Sequence, residues 1–118
     1  MNKYHARKTT VCGEVFDSRI EAERYQQLLI MARAGLISDL RRQVKYELIP
    51  AQYRRVYNEK TGKWKDRCIE RAVFYVADFV YTKDGLEIVE DTKGMRTKDY
   101  VIKRKLMLFV HNIMIQEV

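Results

Sequence analysis

One proline, five glycines and two cysteines are all that 118 residues contain of these types. Each scarcity excludes something. Cys12 and Cys68 are too few for a disulfide framework or a structural zinc site, and both are expected to be reduced. No apolar run approaches the ~20 residues that a membrane helix needs. The opening stretch, MNKYHARKTTV, lacks the apolar core of a signal peptide, so the chain is expected to be a mature cytoplasmic protein with no membrane partner. There is no Gly/Ser-rich linker, repeat or low-complexity tract. With Pro50 as the only proline, residues 1–118 read as a single domain. Neither His5 nor His111 has a companion at metal-ligand spacing, and both are assigned to structure or solvent.

What the chain does have is positive charge, +7 net. A basic balance of this size points to a polyanionic partner, foremost nucleic acid. The distribution is more informative than the total. Residues 41–71 carry +6, residues 72–92 carry −4, and residues 93–105 carry +5. A purely electrostatic binder has no use for carboxylates between its basic segments, whereas a metal-dependent enzyme acting on nucleic acid does.

Local patterns give a mixed α/β chain with one central sheet. Residues 9–16 predict a hairpin turning at Cys12-Gly13. Ser18 and Glu21 form an S-x-x-E capping box that opens a helix ending at Ala34-Gly35, with apolar or small residues at 22, 25, 29, 32 and 36. Residues 43–49 read as a strand running into Pro50. YRRVY and KWKDRCIER read as two arms of a hairpin turning in NEKTGK. Residues 72–81 and 86–92 are strands around Asp84-Gly85. Residues 98–110 form a second helix, with apolar positions at 102, 106, 109 and 110, and NIMIQEV closes the chain as a strand.

The Asp84-Gly85 turn fixes a register. Asp-Gly between two apolar β runs is a strong hairpin signal, and a two-residue turn makes paired numbers sum to 169. Asp78 then opposes Asp91, with Cβ atoms about 4.5–5.5 Å apart, an arrangement that repels itself unless something neutralises it. Lys93 shares the face of Asp91. Two carboxylates and an ammonium suit Mg²⁺, which is often held by one or two carboxylates plus substrate phosphate. The bland alternative is an ion-pair cluster on a polar sheet face. An Asp within AVFYVADFVY weakens it, because burying that group unpaired is costly. A bulge would move Asp78 to the other face.

Here the sequence resembles a known family. Ala77-Asp78-Phe79 and Glu90-Asp91-Thr92-Lys93-Gly94 match the P-D-X(n)-(D/E)-X-K pattern of the PD-(D/E)XK nuclease superfamily, with Ala77 in place of the proline. The ordered set Phe16-Asp17-Ser18, Glu21-Ala22-Glu23-Arg24-Tyr25, Ala77-Asp78-Phe79 and Glu90-Asp91 through Lys93-Gly94 is similar to small phage and prophage endonucleases of the Holliday-junction-resolvase, endonuclease I-like type, over residues 9–118. The resemblance implies a restriction-endonuclease-like core, a central mixed sheet flanked by helices. It implies that Asp78, Asp91, Glu21 and the Thr92 carbonyl hold Mg²⁺, with Mn²⁺ as a substitute. Lys93 becomes the catalytic lysine and Gln43 an auxiliary site residue. Glu21 also has its plain role in the capping box, and Glu23 is the fallback glutamate, although two residues along a helix it points elsewhere.

Basic groups surround this set. Lys98, Lys103, Arg104 and Lys105 lie on the helix that follows Lys93 and are candidates for holding phosphate. Arg54, Arg55, Lys63, Lys65 and Arg67 flank Tyr53, Tyr57 and Trp64, a composition suited either to nucleic acid or to an aromatic edge packed on the core. The resulting expectation is a metal-dependent DNA endonuclease acting on branched or recombination-intermediate DNA in a phage context. It would act as a homodimer, in the host cytoplasm, beside phage replication or recombination proteins. The alternatives are a catalytically silent DNA- or RNA-binding module and a duplex-specific restriction or nicking enzyme.

Overall fold

The computed structural model describes residues 8–92 and 96–118. Strands β1 (Thr9–Val11) and β2 (Glu14–Phe16) pair through a turn in which Cys12 (φ 52°) and Gly13 (φ 80°) both take positive φ, the geometry of a type I′ hairpin. Helix α1 (Arg19–Arg33) starts where the Ser18 hydroxyl accepts the Glu21 N–H at 3.1 Å. It stops at Ala34, where Gly35 turns the chain with φ 77°. Strand β3 (Ser38–Ile49) begins five residues before the expected 43–49 span. Strands β4 (Gln52–Asn58) and β5 (Lys63–Glu70) form the second hairpin, and β6 (Val73–Lys83) and β7 (Leu86–Asp91) the third. Helix α2 (Lys98–His111) is capped by the Thr97 hydroxyl and ends at Asn112 in a left-handed conformation. The closing strand β8 is only Gln116–Glu117, much shorter than NIMIQEV.

β3, β6, β7 and β8 form one mixed sheet in that order, antiparallel except for the parallel β7–β8 pair. The two helices take opposite faces, giving three layers. Ala22 and Leu28 of α1 pack with Phe16, Phe79 and Tyr81. Tyr100 and Met107 of α2 pack with Tyr75, Ala77, Val80 and Val89. The alternation of Val80 against Phe79 and Tyr81 is that of a strand buried on both faces.

The buried stripes follow the expected ones in part. In α1, Ala22, Tyr25 and Ala32 pack as expected, but Leu28 is buried rather than Leu29, and Leu36 lies exposed beyond the helix. In α2, Leu106 packs as expected beside the buried Tyr100 and Met107, two turns apart, while Ile102, Phe109 and Val110 are exposed. The sheet selects the stripe: Tyr75, Ala77 and Val80 meet the side of α2 that carries Tyr100. His111 donates to the Glu47 carbonyl at 2.7 Å and packs edge-on against Tyr46. Cys12 and Cys68 are free and exposed.

A buried ion pair joins α1 to the sheet. Glu90 is fully buried on β7, and Arg24 of α1 grips both its oxygens, Nε to Oε1 at 2.8 Å and Nη2 to Oε2 at 2.6 Å. The Tyr81 hydroxyl donates to Oε2 as well. Removing the guanidinium strands a buried carboxylate, which costs about 3–5 kcal/mol, whereas replacing both partners by apolar groups is often near neutral. Arg24→Ala is therefore expected to lower the urea-unfolding free energy by about 3–5 kcal/mol, and Arg24→Met combined with Glu90→Leu to recover most of it. A single-variant loss below about 1 kcal/mol would mean that the pair behaves as a surface bridge.

Candidate active site

The sheet changes face at one place. Arg42 and Phe79 are paired and belong to the α1 side, where the Arg42 guanidinium lies 3.8 Å from the Phe16 ring centroid. Val44 and Ala77, two positions along each strand, are paired and belong to the α2 side. Residues two apart on a regular strand share a face. The reversal falls on Gln43 and Asp78, the position between those two pairs, and Gln43 carries it with φ 52°. A left-handed backbone at a non-glycine residue inside a strand costs about 1–3 kcal/mol and persists only where surrounding contacts enforce it.

Glu21 comes to this point from the first turn of α1. Gln43 Nε2 donates to its Oε1 at 3.1 Å, and Arg42 Nη2 stands 3.8 Å from the same oxygen. Burial, and then the charge of Asp78, hold the Glu21 carboxyl above its ordinary value, against the opposing pull of Arg42. Glu23, by contrast, pairs with Arg19 at 3.0 Å on the exposed side of the helix.

The β6–β7 ladder follows the expected register, from Lys83↔Leu86 to Phe79↔Glu90. It ends one pair short of Asp78 and Asp91. Asp78 Oδ2 instead accepts both the N–H and the hydroxyl of Thr92, each at 2.9 Å. Both bonds fall on one oxygen and leave Oδ1 facing none of the described donors. Asp91 is buried, and its Oδ2 accepts the Tyr75 hydroxyl at 2.6 Å. Burial and the nearby Asp91 push the Tyr75 phenol far above its usual range, so it keeps its proton and acts as a donor. Asp78 also acts on Tyr75. Asp78 thus acts on both sides, raising Glu21 on one and bearing on the Asp91-bound tyrosine on the other. Lys93 lies outside the described residues.

The donor chemistry fits a hard divalent cation. All the donors are oxygens, Glu21 is burdened by its acidic neighbour, and Asp78 Oδ1 is available. Among the described residues, no three His, Cys, Asp or Glu side chains already stand together as a metal cage. Sequence reasoning missed Tyr75, Arg42 and the Arg24–Glu90–Tyr81 bridge. The signal for the bridge was period-two alternation, which puts Glu90 beside Ile88 on the face that α1 covers, where a carboxylate demands a cation.

The basic residues divide. Lys98 and Lys105 are exposed on α2, and Lys103 lines a hollow with Tyr75, Thr97, Asp99 and Tyr100. Arg104 is taken up structurally: with Arg96 it holds Glu117, at 3.3 and 2.6 Å, and the two guanidiniums keep that carboxyl below its ordinary value. Arg54, Arg55, Lys63, Lys65 and Arg67 all lie on the β4–β5 hairpin and are exposed. The aromatic residues of this hairpin are therefore not an edge packed on the core. Tyr53, Tyr57 and Trp64 are all more than half exposed.

A titration follows from Glu21. Its native pKa lies above the unfolded one, so its ionisation opposes folding once the pH has risen through the window that starts near 4.5. Below that window both states are protonated and the penalty vanishes. Glu21→Gln, which keeps an oxygen for Gln43, is expected to raise the melting temperature at neutral pH, with the difference closing below pH about 4. An unchanged or lower melting temperature at neutral pH would show that Asp78 and Glu21 do not burden each other.

No curated protein and no solved structure matches the chain. Residues 1–115 match one family profile, and the chain belongs to that family, described as protein of unknown function (DUF1064).

Proposed function

We propose that this protein is a metal-dependent endodeoxyribonuclease with a restriction-endonuclease-like core. The observation that carries the reading is the approach of Glu21 and of the Asp91-bound Tyr75 to Asp78, from α1, β6 and β7, where the sheet changes face beside the left-handed backbone of Gln43. Strain of that kind, and a buried carboxylate held above its ordinary value as Glu21 is, concentrate at functional sites.

Asp78 through Oδ1, Asp91, Glu21 and the Thr92 carbonyl are the groups that would hold Mg²⁺, with Mn²⁺ as a substitute. The ion would polarise the scissile phosphate and supply a nucleophilic water at neutral pH. The chain's own residues do the rest. Gln43 holds Glu21 in place, Thr92 fixes the rotation of Asp78, and Tyr75 orients Asp91. Lys93 would stand by the reacting phosphate and offset charge in the transition state. Lys98, Lys103 and Lys105 would bear the backbone beside it.

The setting proposed is the cytoplasm of a phage-infected or prophage-carrying host, with branched recombination DNA as substrate. A homodimer is part of the reading, since one site per chain must answer two strands. Ile102 and Phe109, exposed on α2, are the apolar side chains at hand for it. The second reading is a nucleic-acid-binding module without turnover, which the lack of a ready-made cage among the described residues favours.

The test is cleavage of a labelled four-way junction, a linear duplex and single-stranded DNA with Mg²⁺, Mn²⁺ or EDTA. Metal-dependent cutting is expected, abolished by Asp78→Asn, Asp91→Asn and Lys93→Ala, and reduced about 10–100-fold by Gln43→Ala, a residue that acts by orienting a ligand. Binding without cutting under every condition would leave the second reading. Preference for the linear duplex would replace junction resolution with restriction or nicking.

A further inference from the structure

The β4–β5 hairpin interrupts the main sheet between β3 and β6, entering through Pro50-Ala51 and leaving through Arg71-Ala72. Its strands pair only with each other, and along both of them Val56 alone among residues 52–58 and 63–70 is even half-buried. A lone two-stranded ribbon is marginal in water, so one kept fully exposed has a use for its surface.

The register sorts that surface. Arg54↔Arg67, Val56↔Lys65 and Asn58↔Lys63 share one face, while Tyr53↔Cys68, Arg55↔Asp66 and Tyr57↔Trp64 share the other. The first face carries Arg54, Lys63, Lys65 and Arg67 against one carboxylate at its base, Glu70 opposite Gln52. The second is neutral and aromatic: Arg55 faces Asp66 at 3.8 Å, and the Tyr57 and Trp64 rings lie 5.3 Å apart. In sequence the basic and aromatic residues interleave, but in space they are segregated.

We propose that the Arg54/Lys63/Lys65/Arg67 face of this ribbon grips the phosphates of double-helical DNA, the ribbon lying along the major groove. This rests on the nucleic-acid part of the reading above and names the form of the substrate. Charge selects a polyanion. Segregation selects a duplex over a single strand, because stacking on unpaired bases needs rings beside the cations, and here they face away. Size agrees: a two-stranded ribbon fits a groove about 12 Å wide. The ribbon leaves the sheet at Ile49↔Val73, six residues along β3 from Gln43. That is about 20 Å at ~3.3 Å per residue, within one helical turn of about 34 Å. A duplex seated at the carboxylates therefore reaches it.

The test is fluorescence anisotropy with a labelled linear duplex in EDTA, as a function of salt. Each neutralised phosphate contributes about 0.9 to the slope of log K against log salt. Changing Arg54, Lys63, Lys65 and Arg67 together to Gln is expected to flatten that slope by about 3–4 and to weaken binding most at low salt. Arg55→Gln, on the other face, should leave it unchanged. Trp64, the single tryptophan, reports that the ribbon is still formed. An unchanged slope with native Trp64 emission would overturn the proposal. So would tighter binding of single-stranded DNA with Trp64 quenched, which assigns the aromatic face to bases, or equal competition by polyglutamate, which reduces the face to a general anion patch. The readout needs no turnover. A flattened slope without any metal-dependent cutting upholds the ribbon and removes the nuclease, and cutting with an unchanged slope does the reverse.

Discussion

The buried carboxylate of Glu90 is the constraint on which the site depends. A fully buried charge is tolerable only with close partners, and its partners come from a different layer: Arg24 on α1, with Tyr81 from the neighbouring strand. The bidentate grip fixes both the rotation of α1 and its height over β7. Glu21 sits one turn before Arg24 on α1, and Asp91 sits one residue after Glu90 on β7. Fixing Arg24 on Glu90 therefore fixes the relation between two of the three site carboxylates, although neither touches the bridge. Glu90 and Asp91 point to opposite faces of the sheet, one spent on holding the layers and the other on the site.

The face change at Gln43 and Asp78 resolves a geometric problem. Helices on opposite faces of a sheet cannot ordinarily both deliver side chains to one spot, because the sheet stands between them. Where β3 and β6 turn over together, the barrier is at its thinnest. Glu21 from the α1 side and Tyr75, the donor to Asp91, from the α2 side then both come under the influence of Asp78. The positive φ of Gln43 is the local cost, and its side-chain bond to Glu21 is part of what sustains it.

Much of this was legible in the sequence, and the reasons are specific. Asp84-Gly85 and Cys12-Gly13 announce tight turns by chemistry, and Ser18 announces a helix start, so the hairpins, the β6–β7 register and α1 came out close to their observed bounds. The buried stripe of α2 did not, because Ile102, Phe109 and Val110 are as apolar as the residues that pack, and only the sheet decides between them. Nor did the face change, since a glutamine carries no mark of left-handed backbone. The acidic row was legible as pairs of spacings. Its hydrogen-bond supports, Tyr75 and Thr92, were not, because both depend on where a strand ladder ends. The ribbon's two faces follow from one number, the pairing sum of β4 and β5, which the uncertain turn in NEKTGK hid.

An acidic centre inside a basic chain has an electrostatic consequence. Three carboxylates repel the phosphate they would have to approach, and the nearest described cation, Arg42, is already shared among Glu21, Glu14 and the Val15 carbonyl. Attraction must therefore come from elsewhere on the surface, beyond roughly a Debye length of 8–10 Å at physiological salt, so that it is not cancelled by the same carboxylates. The ribbon meets that condition: its four cations lie on strands that pair with nothing in the main sheet, and its acids, Glu59, Asp66 and Glu70, are outnumbered by them. On the proposed reading, binding and chemistry would be separated in space for a physical reason. The same carboxylates that would serve a metal spoil the site as a phosphate-binding surface, and a chain of 118 residues gains a holding surface most cheaply by extending two strands out of its sheet.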